Sequence, residues 1–306
     1  MSAATSELGD YKLSLRPLRE LFGPTPAGEF SPLKLKAVRQ RMIDAGLSRG
    51  VINQRVGRIK RVFKWGVSEE LVPESVYRAL LAVDGLKAGR SGARETAPVR
   101  PVTDEHVDAV LPFLSTPLRG LVRVQRLTGM RPGEVARMRG RDIDRSGEVW
   151  LYRPAQHKTA WRGKERVVPI GPRCREVVEE FLTTDPDAYL FRPQDGREEW
   201  FAAKRAARKS KVPPSQACRR KANPRRKPRE VYSRHAYANA VARACEKACV
   251  PRWHPNQLRH SRATEVRGGF GLEAAQVVLG HARANVTEVY AERDQALAVK
   301  VAAITG

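Results

Sequence analysis

The stretch TGMRPGEVARMRGRDID, residues 128–144, follows an apolar, helix-like run, PLRGLVRVQRLTG, that Gly129 stops. Arg131 therefore falls just past a helix end, and Glu134 stands three residues on, placed to hydrogen-bond and orient its neighbours. Two other stretches share this character of polar residues at helix ends. HPNQLRHSRATEV, residues 254–266, sets Arg259 on a helix rich in polar side chains. LGHARANVTEVYAERD, residues 279–294, closes an apolar helix with Gly280 and His281 and carries Tyr290 nine residues later in polar surroundings.

The chain around these stretches reads as mainly α with a small antiparallel β-sheet. TDEHVDAVLPFL, from Thr103, has an N-cap threonine and two acidic residues in its first turn. GEVWLYR and RVVPI are β-type runs, and PAQHKTAWRGKE between them makes a hairpin with a long basic tip. AYLF, at 188–191, is a possible short strand. Residues 202–229 are almost all Lys, Arg, Pro and small side chains, which cannot build a core, so they are expected to be a basic insertion that is poorly ordered or ordered by DNA.

The first hundred residues read as short helices. SPLKLKAVRQRMIDAGLS starts on Ser-Pro and ends near Gly46, and PESVYRALLAVDG starts on Pro73. Between them, Ile52, Val56, Ile59 and Phe63 recur at helical spacing as one apolar stripe. Arg55, Arg58, Lys60, Arg61 and Lys64 occupy the remaining face, a pattern suited to packing on one side and touching phosphates on the other. GLKAGRSGARETAPVRP, residues 85–101, is glycine-rich, basic and nearly without apolar side chains, as a linker is. These features set a helical DNA-binding domain at 1–90, a basic linker at 91–101 and a second domain at 102–306.

With 306 residues and 41% hydrophobic side chains, the chain can hold two domains with real cores. It has no run of 18 apolar residues and no signal-peptide core, so no membrane partner is expected and the protein is placed in the cytoplasm, on the nucleoid. Lys plus Arg number 57 against 33 acidic residues, a net charge of +24, which a polyanion such as double-stranded DNA would neutralise. Cys174, Cys218, Cys245 and Cys249 do not make a disulfide framework. Cys245 and Cys249 fall at i, i+4 on an expected helix with His254 beyond; a buried apolar face explains them better than zinc, and no metal or cofactor is expected.

Taken in order, these motifs resemble the tyrosine recombinase (phage integrase) family over roughly residues 100–300; the first hundred residues match only in general character. Arg131 matches the family's first arginine in T-G-x-R-x-x-E, Arg259 the second in L-R-H, His281 the histidine of L-G-H, and Tyr290 the nucleophile at the usual spacing. Lys158, in HKT on the hairpin, matches the lysine, with Lys164 a competitor for that role. One position departs: three residues before the second arginine the family usually has histidine, and here Asn256 stands there, with His254 two residues earlier.

The resemblance implies a core-binding domain and a catalytic domain, and an enzyme that cleaves and rejoins DNA strands through a 3′-phosphotyrosine. It also implies a homo-tetramer on paired sites, exchange through a Holliday junction, and service to a mobile element. An Xer-type resolvase, a catalytically silent DNA-binding protein of the same fold and a type IB topoisomerase are the alternatives. In the implied chemistry, the arginines and His281 hold the nonbridging oxygens of the transition state, Tyr290 attacks, and the lysine protonates the leaving 5′ oxygen. A carboxamide cannot take a proton near neutral pH. Asn256 is therefore read as holding the phosphate, and the identity of the general base stays open between His254 and a water or substrate oxygen.

Overall fold

A computed structural model describes residues 7–156, 163, 165–211, 213 and 229–280. The chain divides into two compact units, 1–98 and 99–306. The described residues are mainly helical, with one small antiparallel sheet.

The first unit contains helices α1 (Glu7–Phe22), α2 (Pro32–Asp44), α3 (Arg49–Ser68) and α4 (Glu74–Leu81). Ser31 caps α2 by accepting from the Lys34 amide at 3.3 Å, and Pro32 takes the first helical position, where its missing N–H costs nothing. Ile52, Val56, Ile59 and Phe63 of α3 are all buried, and the Phe63 ring stacks on Phe30 at 5.0 Å. Each such side chain contributes about 2 kcal/mol of hydrophobic stabilisation. Residues 93–95, inside the stretch that reads as linker, lie against α3. Ala93 is buried, the Arg49 amide donates to the Arg94 carbonyl at 2.9 Å, and Arg49 pairs with Glu95 at 2.6 Å.

The second unit contains α5 (Asp104–Val110), α6 (Thr116–Thr128), α7 (Pro132–Val135), α8 (Pro172–Glu179), α9 (Pro193–Ala206), α10 (Arg234–Ala248) and α11 (Asn256–Leu279). Strands β1 (Ile143–Asp144), β2 (Trp150–Tyr152) and β3 (Val168–Ile170) form the sheet in that order, with Tyr152 opposite both Ile143 and Val168. Helix α6 packs against α8, α9 and α11, and buries Leu118, Leu121, Val122 and Val124. Thr103 caps α5 as its sequence suggests.

Several elements differ from their sequence reading. β1 is a third strand, too short at two residues to show any alternation. AYLF makes no strand: Tyr189 forms a single antiparallel bridge with Arg139, while Leu190 and Phe191 enter the core. Helix α9 runs on to Ala206, into the expected insertion, because Ala202, Ala203 and Ala206 are strong helix formers. Cys245 is buried on α10, but Cys249 is not on the helix face with it. It is the exposed left-handed C-cap, at φ 53°.

Helix α11 is not one straight rod. Gly271 sits within it at φ 85°, ψ 177°, a conformation open essentially to glycine. Arg259 and Leu279 lie on opposite sides of that break, yet the Arg259 side chain donates to the Leu279 carbonyl at 2.7 Å. Twenty residues of unbroken helix would span about 30 Å, beyond any arginine's reach. The chain therefore turns back at Gly271, and Ala263 and Leu279 meet in a small buried cluster.

Candidate active site

The site begins at the end of α6. Gly129 caps it at φ 66°, and the chain passes through Met130 to Arg131, the N-cap of α7, with Pro132 next. Glu134, almost fully buried, accepts from the Arg131 backbone amide at 3.1 Å and from Arg131 Nη1 at 2.8 Å. Burial pushes the Glu134 carboxyl up. The Arg131 charge and hydrogen bonds, together with Arg166, more than reverse this and leave it below the usual carboxylate range. Arg131 is thus held by one carboxylate, while its side chain stays 29% exposed. The Tyr152 hydroxyl, donating to the Glu134 carbonyl at 2.9 Å, ties α7 to the sheet.

Arg259 is fully buried. Its Nη1 donates to the Gly129 carbonyl and its Nη2 to the Leu279 carbonyl, each at 2.7 Å. One guanidinium therefore joins the turn before Arg131 to the turn before His281. Both turns need glycine: Gly280 caps α11 at φ 64°, and a Cβ on Gly129 would lie 2.9 Å from Leu279 Cδ2. A Cβ on Gly280 would lie 2.4 Å from Arg166 Nη1. Arg166, itself buried, donates to the Val278 carbonyl at 3.1 Å, so a second arginine supports the same turn.

A cleft of about 840 Å³ opens beside α7. Arg131, Arg137, Arg234, His235, His254 and Asn256 are among its lining residues. Among the described lining residues the one carboxylate, Glu134, is already engaged by Arg131. Such a wall suits an anion. Asn256 is the first residue of α11, and the Gln257 side chain accepts from the His254 amide at 3.0 Å and donates to the Arg100 carbonyl at 3.0 Å. Among the described residues no cluster of His, Cys, Asp and Glu could hold a metal, and no helix is long and apolar enough to cross a membrane.

The structure thus brings Arg131, Asn256 and His254 to one cleft, while Arg259 is buried against the turn that leads to Arg131. Lys158, Lys164, His281 and Tyr290 lie outside the described residues. In the first unit, the basic face of α3 is not uniform. Arg58, its side chain 16% exposed, pairs with Asp10 at 2.7 Å, and Lys60 donates to the Val83 carbonyl at 2.6 Å. Arg61 and Lys64 are exposed, Arg61 standing 5.7 Å from the Tyr11 ring centroid, and Arg55 is half-buried.

Three residues of the site are missing from the sequence reading: Gln125, Tyr237 and Arg166. Gln125 is fully buried in α6 and donates to the Met130 and Pro255 carbonyls, while the Tyr237 hydroxyl donates to its Oε1. The available signal for it was a lone carboxamide on the apolar side of α6. Arg166 had no signal, being one more arginine in a basic hairpin.

The chain matches the model described as "Phage integrase family" over residues 102–296. Tyrosine recombinase XerC of Yersinia pestis is 26% identical over 293 residues, covering 93% of this chain and 83% of the relative. That of Haemophilus ducreyi is 30% identical over 170 residues, 55% of this chain and 44% of the relative. Among solved structures, a lambda integrase dimer bound to a COC′ core site superposes with a TM-score of 0.66 at 15% identity, covering 95% of this chain and 73% of that one. XerH bound to a palindromic difH substrate gives 0.64 at 17%, covering 97% and 79%.

Proposed function

The chain belongs to the phage integrase family, and from that premise we propose that it is a site-specific recombinase that cleaves and rejoins double-stranded DNA through a 3′-phosphotyrosine, acting on the nucleoid for a mobile element. The observation that carries the reading is the cleft in which Arg131, anchored by Glu134, faces the same space as Asn256. Residues 1–90 act as the core-binding domain and 102–306 as the catalytic domain. The tetramer on paired sites and the Holliday junction follow from the same reading.

The chemistry assigns each residue a task. The Tyr290 oxygen attacks the scissile phosphorus, and the bond to the 5′ oxygen breaks. Lys158 gives that oxygen its proton. Arg131 and His281 hold the nonbridging oxygens as their charge grows. Arg259 supplies positive charge beside the turn that leads to Arg131, and its guanidinium carries N–H donors beyond the two given to the Gly129 and Leu279 carbonyls. Asn256 donates a hydrogen bond to the phosphate and takes no proton, so the tyrosine proton leaves to water or a substrate oxygen. Rejoining runs the same steps backward with a 5′ hydroxyl as nucleophile, and the phosphotyrosine bond conserves the energy.

A nicked substrate that loses its short 5′ fragment traps the covalent adduct. The wild-type protein is expected to form a 3′-linked adduct, and Tyr290→Phe to bind DNA normally and form none. An adduct with the Phe variant would show that the nucleophile lies elsewhere; none with the wild type would favour a silent DNA-binding protein. The likeness to XerC proteins supports a second reading, an Xer-type resolvase of the same family. Direct repeats flanking an element around the coding sequence would favour integration, and their absence resolution. Relaxation of a plasmid without any recombination site would instead indicate a topoisomerase.

A further inference from the structure

Helix α6 carries a polar side chain where its neighbours are apolar. Gln125 is completely buried on a helix that also buries Leu121, Val122, Val124 and Thr128. A buried carboxamide is costly unless its hydrogen bonds are made. Here both N–H groups find backbone carbonyls, Met130 at 3.1 Å and Pro255 at 2.9 Å, and Oε1 accepts from Tyr237 Oη at 2.9 Å. The orientation of the amide is not arbitrary. The two carbonyls can only accept, so Nε2 must face them, and the one hydroxyl proton of Tyr237 must then go to Oε1. Tyr237 is itself fully buried, and burial keeps its hydroxyl protonated and donating.

The two carbonyls are not ordinary ones. Met130 immediately precedes Arg131, and Pro255 immediately precedes Asn256. A single amide nitrogen therefore ties together two segments far apart in sequence, its bond to Pro255 alone reaching across 130 residues, and each segment delivers a side chain to the same cleft. We infer that Gln125, oriented by Tyr237, is a positioning residue for strand cleavage, setting the separation of Arg131 and Asn256 across the scissile phosphate. It touches no substrate; it acts through the two residues it spaces. The inference rests on the recombinase reading above.

The test is a pair of double-mutant cycles on single-turnover cleavage of the nicked substrate, using the full chain. Gln125→Met keeps the length and removes every hydrogen bond. It should leave DNA affinity within about two-fold and slow cleavage by about ten- to a hundred-fold, the scale of a small displacement of an aligned group. Combined with Arg131→Lys, and separately with Asn256→Ala, its further effect should be markedly smaller than on the wild type, because the group it positions is already lost. Multiplicative effects in both cycles, or undiminished cleavage by folded Gln125→Met, would overturn the inference. If Gln125→Met does not fold, Tyr237→Phe serves in its place. It keeps both amide donors and frees only the orientation, so a loss of a few-fold with the same dependence on Arg131 is expected, and a loss independent of Arg131 overturns the inference. Should Arg131→Lys and Tyr290→Phe both cleave like wild type, the recombinase reading fails and the inference with it; if they are impaired while Gln125→Met is not, only the inference fails.

Discussion

Two groups of basic residues in this chain use the same side chains in opposite ways. On α3, Arg61 and Lys64 stand exposed on one helix, with no carboxylate partner described. In the second unit, Arg259 is wholly buried and spends both terminal nitrogens on backbone carbonyls, while Arg131 is fixed by a buried carboxylate. An exposed cation can add to affinity through counterion release without a fixed direction. A buried one must have its geometry specified, and in return it fixes the geometry of what it holds. Arg58 lies between these extremes, mostly buried on α3 and already paired with Asp10.

The difference can be broken most forcefully at Arg259. Arg259→Ala leaves the Gly129 and Leu279 carbonyls without their charged donor, and is expected to cost about 3 kcal/mol or more of stability in denaturant unfolding, together with loss of cleavage. A variant as stable as wild type would mean that the two turns hold themselves. A smaller effect is expected at Asn256. Asn256→Ala should slow single-turnover cleavage by about ten-fold or more, and His254→Ala should stay within a few-fold; the reverse ranking would make His254 the base.

Glu134→Gln comes next, costing about 1–2 kcal/mol of stability near neutral pH. Because the folded Glu134 pKa lies below its ordinary value, its contribution is complete above the unfolded carboxylate range and fades as pH falls through the folded value. Urea midpoints of wild type and Glu134→Gln should therefore converge in acid; a gap that persists or widens as pH falls contradicts the assignment. The smallest effects belong to α3. Arg61→Ala and Lys64→Ala should each lower the magnitude of the log–log salt slope of DNA binding by about 1 with cleavage of bound DNA unchanged. Arg58→Ala should change the slope less, since Asp10 already holds that charge. Equal slopes for all three variants and the wild type would remove α3 from the DNA interface.

What could be read in the sequence was local. The apolar stripe of α3, the Ser31 and Thr103 caps and the glycine stop of α6 each depend on residues within a turn or two, and each is found. The motif around Arg131 was legible for the same reason, since its partner Glu134 is three residues away. The return of α11 at Gly271 was hidden because four residues, GGFG, read as helix or loop equally well and only the contact between Arg259 and Leu279 decides. Gln125 was hidden because its partners are two backbone carbonyls and a distant tyrosine, and backbone acceptors leave no mark on residue type. The burial of Arg259 was hidden in turn by the abundance of arginine, which makes any single one look like surface.

The bonds from Arg259 to Gly129 and from Gln125 to Pro255 each join residues 130 positions apart. Everything between, from the sheet through α10, is a loop in the polymer sense, pinned at both ends by side chains that belong to neither the sheet nor the basic stretch 202–229. For a pinned loop of this length the entropy of closure changes slowly, by only about 0.6 kcal/mol for a doubling. Twenty residues more or fewer in that basic stretch alter it by only about 0.1 kcal/mol. The architecture therefore separates two rates of change: the basic stretch between the pins can be lengthened or trimmed at little entropic cost, while the spacing of the groups at the pins stays where two buried side chains have set it.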